Sequence, residues 1–261
     1  MNYQKLINKN IIISAGADGI GLSIAQFCLN EGANVYISDI NKDKLFKLEK
    51  HPLYNKRLFI NYLDAKNYMQ VEDYFKALGK NINFINGLIN NVGIAGPTGR
   101  LEELSHEDWI NTINVNINSH FYFSKFAIPY LKKNGGSIIN LSSTAGLFGF
   151  PLRTPYASSK WATIGLTKSL AMELGEFNIR VNAICPGSVE GDRINKVINA
   201  KAKNLGISNL DLKKDFESMV SLKSFVEKED IADMAVFLLS DQATKISGQV
   251  MTVDGNTERM N

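Results

Sequence analysis

The sequence has little cysteine, and its two cysteines form no recognisable framework. Cys28 and Cys185 are the only ones in 261 residues, and each lies within an apolar segment. Domains that depend on disulfides carry more, and zinc sites need closely spaced Cys and His. The sequence therefore argues against a disulfide scaffold and predicts no metal site. A reducing, cytoplasmic compartment is the expected location.

Long hydrophobic runs and a large charge of one sign are also missing. No apolar run approaches the roughly 18 residues that indicate a membrane span, and the opening MNYQKLINKN has no stretch of signal-peptide length. The 29 basic and 26 acidic residues leave a net charge of +3, and the lysines are spread along the chain. Nucleic-acid binding would need a massed basic patch. We therefore expect binding to neither membranes nor nucleic acid.

What the sequence does contain is a globular composition, with 44% hydrophobic and 21% charged residues. Short apolar runs alternate with helical patterns. Strands are predicted at 10–14, 34–38, 58–62, 84–90, 136–141, 179–185 and 249–253, and helices at 20–30, 105–133, 155–174 and 228–239. This alternation predicts one α/β domain over 1–261, with a Rossmann-like, doubly wound, seven-stranded parallel sheet and helices on both faces. The polar, irregularly helical segment 190–222 is the candidate for binding substrate.

A glycine-rich segment, SAGADGIG at 14–21, stands where the first strand passes into the first helix. Glycine permits a sharp turn and a close approach of the backbone to a pyrophosphate. The free N–H groups at the start of the helix attract phosphates. A turn that binds nothing is the alternative, but the strand–turn–helix context is the one that dinucleotide binding requires. The segment therefore predicts the phosphate site of a dinucleotide.

Asp39 ends the second strand, about 20 residues after the glycine loop. A carboxylate there can accept hydrogen bonds from the adenosine ribose and would repel a 2′-phosphate. No arginine follows it directly, the loop carries Asp18 rather than a cation, and Lys42 is expected at the exposed start of a helix. These charges favour NAD over NADP, unless Asp39 is only a solvated loop carboxylate.

Ser143, Tyr156 and Lys160 are the candidates for the chemistry. Tyr156 and Lys160 are four residues apart in a predicted helix and so share a face. A nearby ammonium lowers the pKa of a phenol, which can then move a proton to or from a substrate hydroxyl. Ser143, at the end of a strand, can orient the substrate oxygen. A surface tyrosine beside a solvated lysine is the alternative.

From end to end, the chain resembles the single-domain branch of the short-chain dehydrogenase/reductase family. The glycine loop resembles that family's TGxxxGIG, and RVNAICPG its RVNxxxPG. The segments that carry the resemblance follow in the family's order: SAGADGIG at 14–21, NNVG at 90–93, VN at 115–116, GSIINLSS at 136–143, PYASSK at 155–160, RVNAICPG at 180–187 and GQVMTVDG at 248–255. The resemblance implies an oxidoreductase that uses a nicotinamide cofactor.

The resemblance also implies a catalytic set of Asn116, Ser143, Tyr156 and Lys160. Asn116 would hold a water that links Lys160 to solvent, and Lys160 would also bind the nicotinamide ribose. Ser143, rather than Ser142, keeps the family's spacing to the tyrosine.

Further residues are expected around the cofactor. Asp64 would contact the adenine amino group, Asn91 would lie beside the cofactor, and the backbone of Val189 would hold the carboxamide. The full expected set is Ser14, Gly16, Asp18, Gly19, Ile20, Gly21, Asp39, Asp64, Asn91, Gly93, Tyr156, Lys160, Pro186, Gly187 and Val189.

Two positions depart from the family pattern. Ala15 replaces the first glycine of the loop, which is a small change. Gly191 stands where many members have a threonine beside the carboxamide and phosphate. That contact must be lost or replaced, with Ser188 or the next loop as candidates.

Arg153 lies three residues before Tyr156 and is the leading candidate for binding substrate. Arginine suits bidentate capture of an anion, and in relatives that oxidise a small 3-hydroxy acid a cation at the equivalent place binds the carboxylate. We expect a small secondary alcohol with an anionic group, such as a hydroxy acid, or a sugar-like substrate, unless Arg153 is solvated. Glu190, Arg193 and Arg100 are weaker candidates at the pocket rim.

Three functions stay open at this point: an NAD-dependent dehydrogenase, an NADPH-dependent 3-oxoacyl reductase, and a catalytically silent nucleotide-binding scaffold. The four filled catalytic positions favour an enzyme. Similar proteins usually form tetramers through their two long helices, and apolar Trp161, Ile164 and Leu170 are compatible with a homotetramer. An apolar cluster at 147–152, comprising Leu147, Phe148, Phe150 and Leu152, either walls a pocket, packs within its loop or forms a subunit contact, with packing slightly favoured.

Overall fold

The computed structural model describes residues 4–260, so the first three residues of the opening MNYQKLINKN lie outside it. Seven strands form one parallel sheet in the order β3-β2-β1-β4-β5-β6-β7. The strands are β1 (Asn10–Ser14), β2 (Asn34–Asp39), β3 (Leu58–Tyr62), β4 (Gly87–Asn90), β5 (Gly136–Leu141), β6 (Ile179–Pro186) and β7 (Val250–Val253). The prediction of a seven-stranded, doubly wound parallel sheet is therefore confirmed.

Helices connect these strands and cover both faces of the sheet. They are α1 (Gly19–Asn30), α2 (Lys42–Leu48), α3 (Tyr68–Leu78), α4 (His106–Ile113), α5 (Ser119–Leu131), α6 (Thr154–Leu174), α7 (Asp192–Leu205), α8 (Asn209–Ser218) and α9 (Lys228–Leu239). None of the helices within residues 4–260 is long and apolar enough to cross a membrane.

Alternation along β1 explains why the sheet is covered on both sides. Ile11 and Ile13 are fully buried in the core that α1 and α9 complete, whereas Ile12 is fully buried in the core formed with α3, α5 and α6. Successive side chains of a strand point to opposite faces, so a strand buried on both sides is a continuous apolar run. The sequence NIIIS meets this requirement.

The strand order places a binding crevice at a definite position. The chain passes from β1 outward to β3 and then returns to β4 on the other side of β1. In open parallel sheets, ligands bind outside the carboxyl ends of the strands at this reversal. The loops after β1, β4, β5 and β6 meet there.

The structure corrects the predicted boundaries in several places. The helix predicted over 105–133 is two helices, α4 and α5, joined by a π-helical turn at Asn114–Asn118. The strand predicted at 84–90 begins only at Gly87, and the last strand begins at Val250. Pro129 lies inside α5, which ends two residues later.

The helix start expected at Lys42 is confirmed by α2, whereas α3 was not predicted, although both helices have a recognisable start. Asn41 accepts a hydrogen bond from the backbone N–H of Lys44, and Asn67 accepts one from that of Gln70. Asparagine is a preferred N-cap because it satisfies a free N–H of the first turn. The segment 190–222, expected to be irregular, contains the regular helices α7 and α8.

Candidate functional site

A cavity of about 540 Å³ opens at the carboxyl ends of the strands. It extends from the glycine loop and Asp39 at one end to α7 and Phe216 at the other. Fifteen of the predicted site residues line it, together with Ala15, Ser188 and Gly191: Asp18, Gly19, Ile20, Asp39, Asn91, Gly93, Ser143, Arg153, Tyr156, Lys160, Pro186, Gly187, Val189, Glu190 and Arg193. The tertiary structure thus gathers most of the predicted site into one crevice.

The glycine loop is held in place by side chains and close packing. The amide of Asn91 donates to the carbonyl oxygens of Ala15 (2.8 Å) and Ser14 (3.3 Å), and the Ser14 hydroxyl accepts from the Asn91 backbone N–H at 3.1 Å. A Cβ at Gly21 would collide with the Ala15 carbonyl, and a Cβ at Gly16 would collide with Ile37. Only glycine fits at these two positions, which is why the loop can pass so close to the sheet.

The start of α1 is available for an anion. Its N-cap, Asp18, makes no capping hydrogen bond, so the side chain leaves the N–H groups of Ile20 and Gly21 free, and the positive end of the helix dipole points the same way. Gly19 has a φ of +53° and open space around its Cβ position. These features fit the pyrophosphate of a dinucleotide.

Asp39 is built into this end of the cavity. Its carboxylate accepts hydrogen bonds from the backbone N–H of Ala17 at 3.1 Å and of Asn41 at 2.9 Å. It is therefore an ordered carboxylate, and the alternative of a freely solvated one is wrong.

Sequence reasoning missed two cations at this end, Lys44 and Lys228. The Lys44 amine forms a salt bridge with Asp18, and its pKa is raised by that hydrogen bond. Lys228, the first residue of α9, lines the cavity. Lys42, the residue considered instead, lies over the ring of Tyr62 at 4.5 Å. The sequence predicted a helix from Lys42 but carried no signal that Lys44 on it would reach the glycine loop.

Asp64 lies apart from the other predicted cofactor residues. It follows β3, is partly buried, and its carboxylate accepts from the backbone N–H of Lys66 at 3.1 Å. It is not among the residues that line the cavity. Ser14, Gly16 and Gly21 also lie off the cavity surface, and they shape the loop from below.

Ser143, Tyr156 and Lys160 converge at the centre of the cavity. Lys160 is 3% exposed, and its amine donates to the Leu141 carbonyl at 2.8 Å. That amine lies 5.8 Å from the centre of the Tyr156 ring. Ser143 hydrogen-bonds the phenol, whereas the hydroxyl of Ser142 donates to the Lys160 carbonyl at 2.8 Å. The choice of Ser143 over Ser142 therefore agrees with the geometry.

The pKa of Tyr156 lies below its ordinary value. Burial by itself raises the pKa of this phenol, but the positive charges of Arg193 and Lys160 outweigh it. The Ser143 hydrogen bond and the charge of Arg153 lower it further. Burial lowers the pKa of Lys160, and the nearby Tyr156 opposes that effect. The phenolate is thus stabilised by cations on several sides, which suits the group to exchange a proton with a bound hydroxyl.

Asn116 is fully buried in the π-helical turn between α4 and α5. Its amide oxygen accepts from the Ile94 N–H at 2.7 Å, and its amide nitrogen donates to the Ile94 carbonyl and to the Ser159 hydroxyl, both at 3.0 Å. The side chain therefore ties the loop after β4 to α6, directly beneath Lys160. Single π-helical turns recur at functional sites, and Asn116 lies within one.

Arg153 is buried rather than solvated, so the alternative of an exposed arginine is wrong. It is 2% exposed, its Nη2 donates to the Ala95 carbonyl at 2.5 Å, and its guanidinium carbon lies 5.4 Å from the centre of the Tyr156 ring. Arg193 stands on another side of that ring at 5.9 Å and donates to the Gly93 carbonyl at 3.2 Å. Two arginines therefore flank the tyrosine.

The weaker candidates for binding substrate differ in whether they line the cavity. Glu190 lines the rim but is paired with Lys213 at 3.5 Å, and Arg100 is exposed and does not line the cavity. Phe150, from the apolar cluster at 147–152, does line it. Gly191 has a φ of +138°, a conformation in which a threonine would be strained, so the backbone here accounts for the departure from the family pattern.

Comparisons with known proteins agree with this geometry. The family model described as enoyl-(acyl carrier protein) reductase matches residues 15–256. The chain is 34% identical to a trans-4-hydroxycyclohexanecarboxylate dehydrogenase from Sinomonas cyclohexanicum, over 97% of this chain and 93% of that protein. It is also 34% identical to a 3-oxoacyl-(acyl-carrier-protein) reductase FabG from Thermotoga maritima, over 97% of this chain and 98% of that protein. Among solved structures, levodione reductase matches with a TM-score of 0.88 at 25% identity, over 96% of this chain and 97% of that chain.

These matches span nearly the whole chain in both sequence and fold. The named relatives are oxidoreductases, and their family uses a nicotinamide cofactor, either NAD or NADP. The resemblance stated from the sequence motifs is therefore confirmed, and the chain belongs to the short-chain dehydrogenase/reductase family.

Proposed function

We propose that this protein is an NAD-dependent dehydrogenase that interconverts a secondary alcohol and a ketone on a small polar substrate carrying an anionic group. The observation that carries the proposal is the position of Tyr156, half-buried in the cavity among Arg153, Lys160 and Arg193, with its pKa below the ordinary value. The substrate is a hydroxy acid or a sugar-like compound.

Each of four side chains has a role in this proposal. Tyr156 takes the hydroxyl proton of the substrate during oxidation and returns it during reduction. Lys160 lowers the pKa of that phenol and holds the nicotinamide ribose. Ser143 orients the substrate oxygen. Asn116 fixes the loop after β4 and supports the water through which Lys160 exchanges protons with solvent.

The groove between the glycine loop and Val189 fits a dinucleotide, because it offers free helix N–H groups, glycines and an ordered carboxylate. A cofactor bound there would supply the redox chemistry, with NAD as hydride acceptor for oxidation of the alcohol and NADH as hydride donor for reduction of the ketone. The proposed cofactor contacts are those named from the sequence. A contact from Asp64 requires the adenine to extend beyond Asp39, because Asp64 does not line the cavity. The Asp39 carboxylate favours NAD because it would repel a 2′-phosphate.

An NADPH-dependent 3-oxoacyl reductase is the second candidate. It is supported by Lys44, a cation that reaches the glycine loop, and by the similarity to a 3-oxoacyl-(acyl-carrier-protein) reductase. Steady-state kinetics with NADH and NADPH separate the two. We expect kcat/KM to be at least tenfold higher with NADH, and a clear preference for NADPH would overturn the assignment.

Arg153 is the residue on which the anionic substrate depends. A screen of NAD-linked turnover over hydroxy acids, neutral polyols and sugars tests it. We expect the highest kcat/KM with a small hydroxy acid. Equal turnover of charged and neutral alcohols would contradict the anionic substrate and leave the dehydrogenase assignment intact.

The whole chain is proposed to act as one catalytic domain in a cytoplasmic homotetramer. Large apolar side chains stay exposed on α5 and α6, namely Phe121 at 47% and Trp161 at 52%. Covering these two helices with a second copy would remove them from water. Sedimentation or light scattering measures the assembly, and a monomer at micromolar concentration would contradict it.

A further inference from the structure

Lys201 is a buried lysine that the proposed reaction does not use. It lies in α7, is 2% exposed, and its amine has no hydrogen-bond partner among residues 4–260. Burying an unpaired ammonium is costly, and such groups normally find an acceptor. Its position therefore requires an explanation.

Two aromatic side chains that line the cavity lie next to the amine of Lys201. It is 4.9 Å from the centre of the Phe150 ring and 5.6 Å from that of Phe216. Both rings line the cavity, and Phe150 is only partly buried. Phe150 is therefore the side chain that separates the Lys201 amine from the cavity.

Arg153 approaches the same Phe150 ring. Its guanidinium carbon is 5.6 Å from the ring centre, and its Nε, like the Lys201 amine, has no partner in the described part of the chain. Each of these buried cations thus keeps a free N–H donor beside one aromatic side chain. The charge of Arg153 acts on Lys201, and together with burial, the larger cause, it lowers the pKa of Lys201 to about 8.

Two acidic residues, Glu190 and Asp192, lie at this rim of the cavity. Glu190 pairs with Lys213 at 3.5 Å, and Asp192, at the start of α7, forms no salt bridge with Lys201 or Arg153 among the described residues. Within residues 4–260, neither Lys201 nor Arg153 forms a salt bridge. Two buried cations without a counter-ion are the arrangement expected of a site whose counter-ion is the ligand.

We propose that Arg153 and Lys201 form a two-point site for the carboxylate of a hydroxy or oxo acid, with Phe150 as the movable wall between them. This inference rests on the proposed function and narrows its substrate class. Lys201 is then a residue that determines specificity, and the proton transfer itself stays with Tyr156.

Binding of an unreactive carboxylate tests the site without turnover. Propanoate and its neutral analogue propanamide are titrated calorimetrically into the protein saturated with NADH. For the wild type we expect propanoate to bind and propanamide to bind at least tenfold more weakly. A hydrogen bond to a charged group is worth about 1.5–3 kcal/mol, so Lys201→Met should weaken propanoate about 10- to 100-fold and leave propanamide unchanged.

Lys203→Met is the matched control, because Lys203 is exposed on the same helix and its loss removes the same charge. It should leave the propanoate affinity within twofold. Fluorescence titration with NADH checks that each variant is folded. If Lys201→Met does not fold, Lys201→Arg replaces it as the test. The propanoate affinity of the wild type should fall above pH 8, whereas that of Lys201→Arg should persist there. Tyr156 and Arg153 are present in both proteins, so their titration cannot cause a difference between the two pH profiles.

The proposal is overturned if Lys201→Met binds propanoate as the wild type does, or if the wild type binds propanoate and propanamide equally. These outcomes are independent of turnover. A wild type that binds propanoate through Lys201 yet oxidises no alcohol would contradict the proposed function alone. A wild type that oxidises neutral alcohols without binding propanoate would contradict the carboxylate site alone.

Discussion

The two ends of the cavity treat charge in opposite ways. At the cofactor end, the Asp39 carboxylate accepts two backbone hydrogen bonds and Asp18 is paired with Lys44. At the substrate end, Arg153 and Lys201 are buried without any acidic partner in the described residues. The charges at the first end are satisfied by the fold itself, whereas those at the second are the ones that the proposed carboxylate would satisfy.

The largest expected effect comes from the residue between the two ends. Tyr156→Phe removes the phenol that exchanges the proton, and kcat should fall about 10²- to 10⁴-fold. Affinity for NADH, measured by fluorescence titration, should stay within a few-fold because the groove is unchanged. A wild type and a variant that are equally inactive on the whole alcohol panel would favour the silent scaffold instead.

Arg153→Met tests the substrate end of the cavity, where the buried cations have no acidic partner in the described residues. Removing the guanidinium should raise KM for anionic substrates about 10- to 100-fold, because a charge-assisted hydrogen bond is lost. Values for neutral alcohols should change little. Arg100→Met is the control, since Arg100 is exposed and away from the cavity. Equal kcat/KM losses for charged and neutral substrates would reduce Arg153 to a packing role.

Asp39→Asn tests the cofactor end of the cavity, where the acidic side chains are paired within the fold. The variant keeps an acceptor for the loop N–H groups but loses the charge that repels a 2′-phosphate. The ratio of kcat/KM with NADP to that with NAD should therefore rise about tenfold, which is roughly 1.4 kcal/mol. Asp43→Asn on the exposed side of α2 is the matched control. A ratio that does not move would mean that Asp39 shapes the loop and does not select the cofactor.

The smallest effect expected is a shift in pH dependence. Oxidation needs the phenolate, so kcat/KM should rise with pH and level off below the ordinary tyrosine pKa of about 10. Arg193 is the largest of the charges that lower the pKa of Tyr156. Arg193→Met should therefore move the midpoint upward by about one pH unit. An unchanged midpoint would show that Lys160 and Arg153 are sufficient to lower the pKa of Tyr156 without Arg193.

Much of the fold and of the centre of the site was predictable from the sequence, because the relevant signals are local. Strands buried on both faces read as apolar runs such as NIIIS, and glycines mark the loop where a Cβ would collide. Tyr156 and Lys160 share a helical face through their spacing alone. Boundaries were less predictable, since the tight π-helical turn around Asn116 leaves no clear break in the helical pattern of 105–133.

The sequence by itself therefore determined the family, the sheet and the shared helical face of Tyr156 and Lys160, which depend on patterns and spacing within single segments. The tertiary structure decided how charges are paired. Lys44 meets Asp18 only because α2 folds against the glycine loop, and Lys201 meets Phe150 only because α7 packs over the loop before α6. Electrostatic pairing depends on distances between segments far apart in the chain, and no local pattern records those distances.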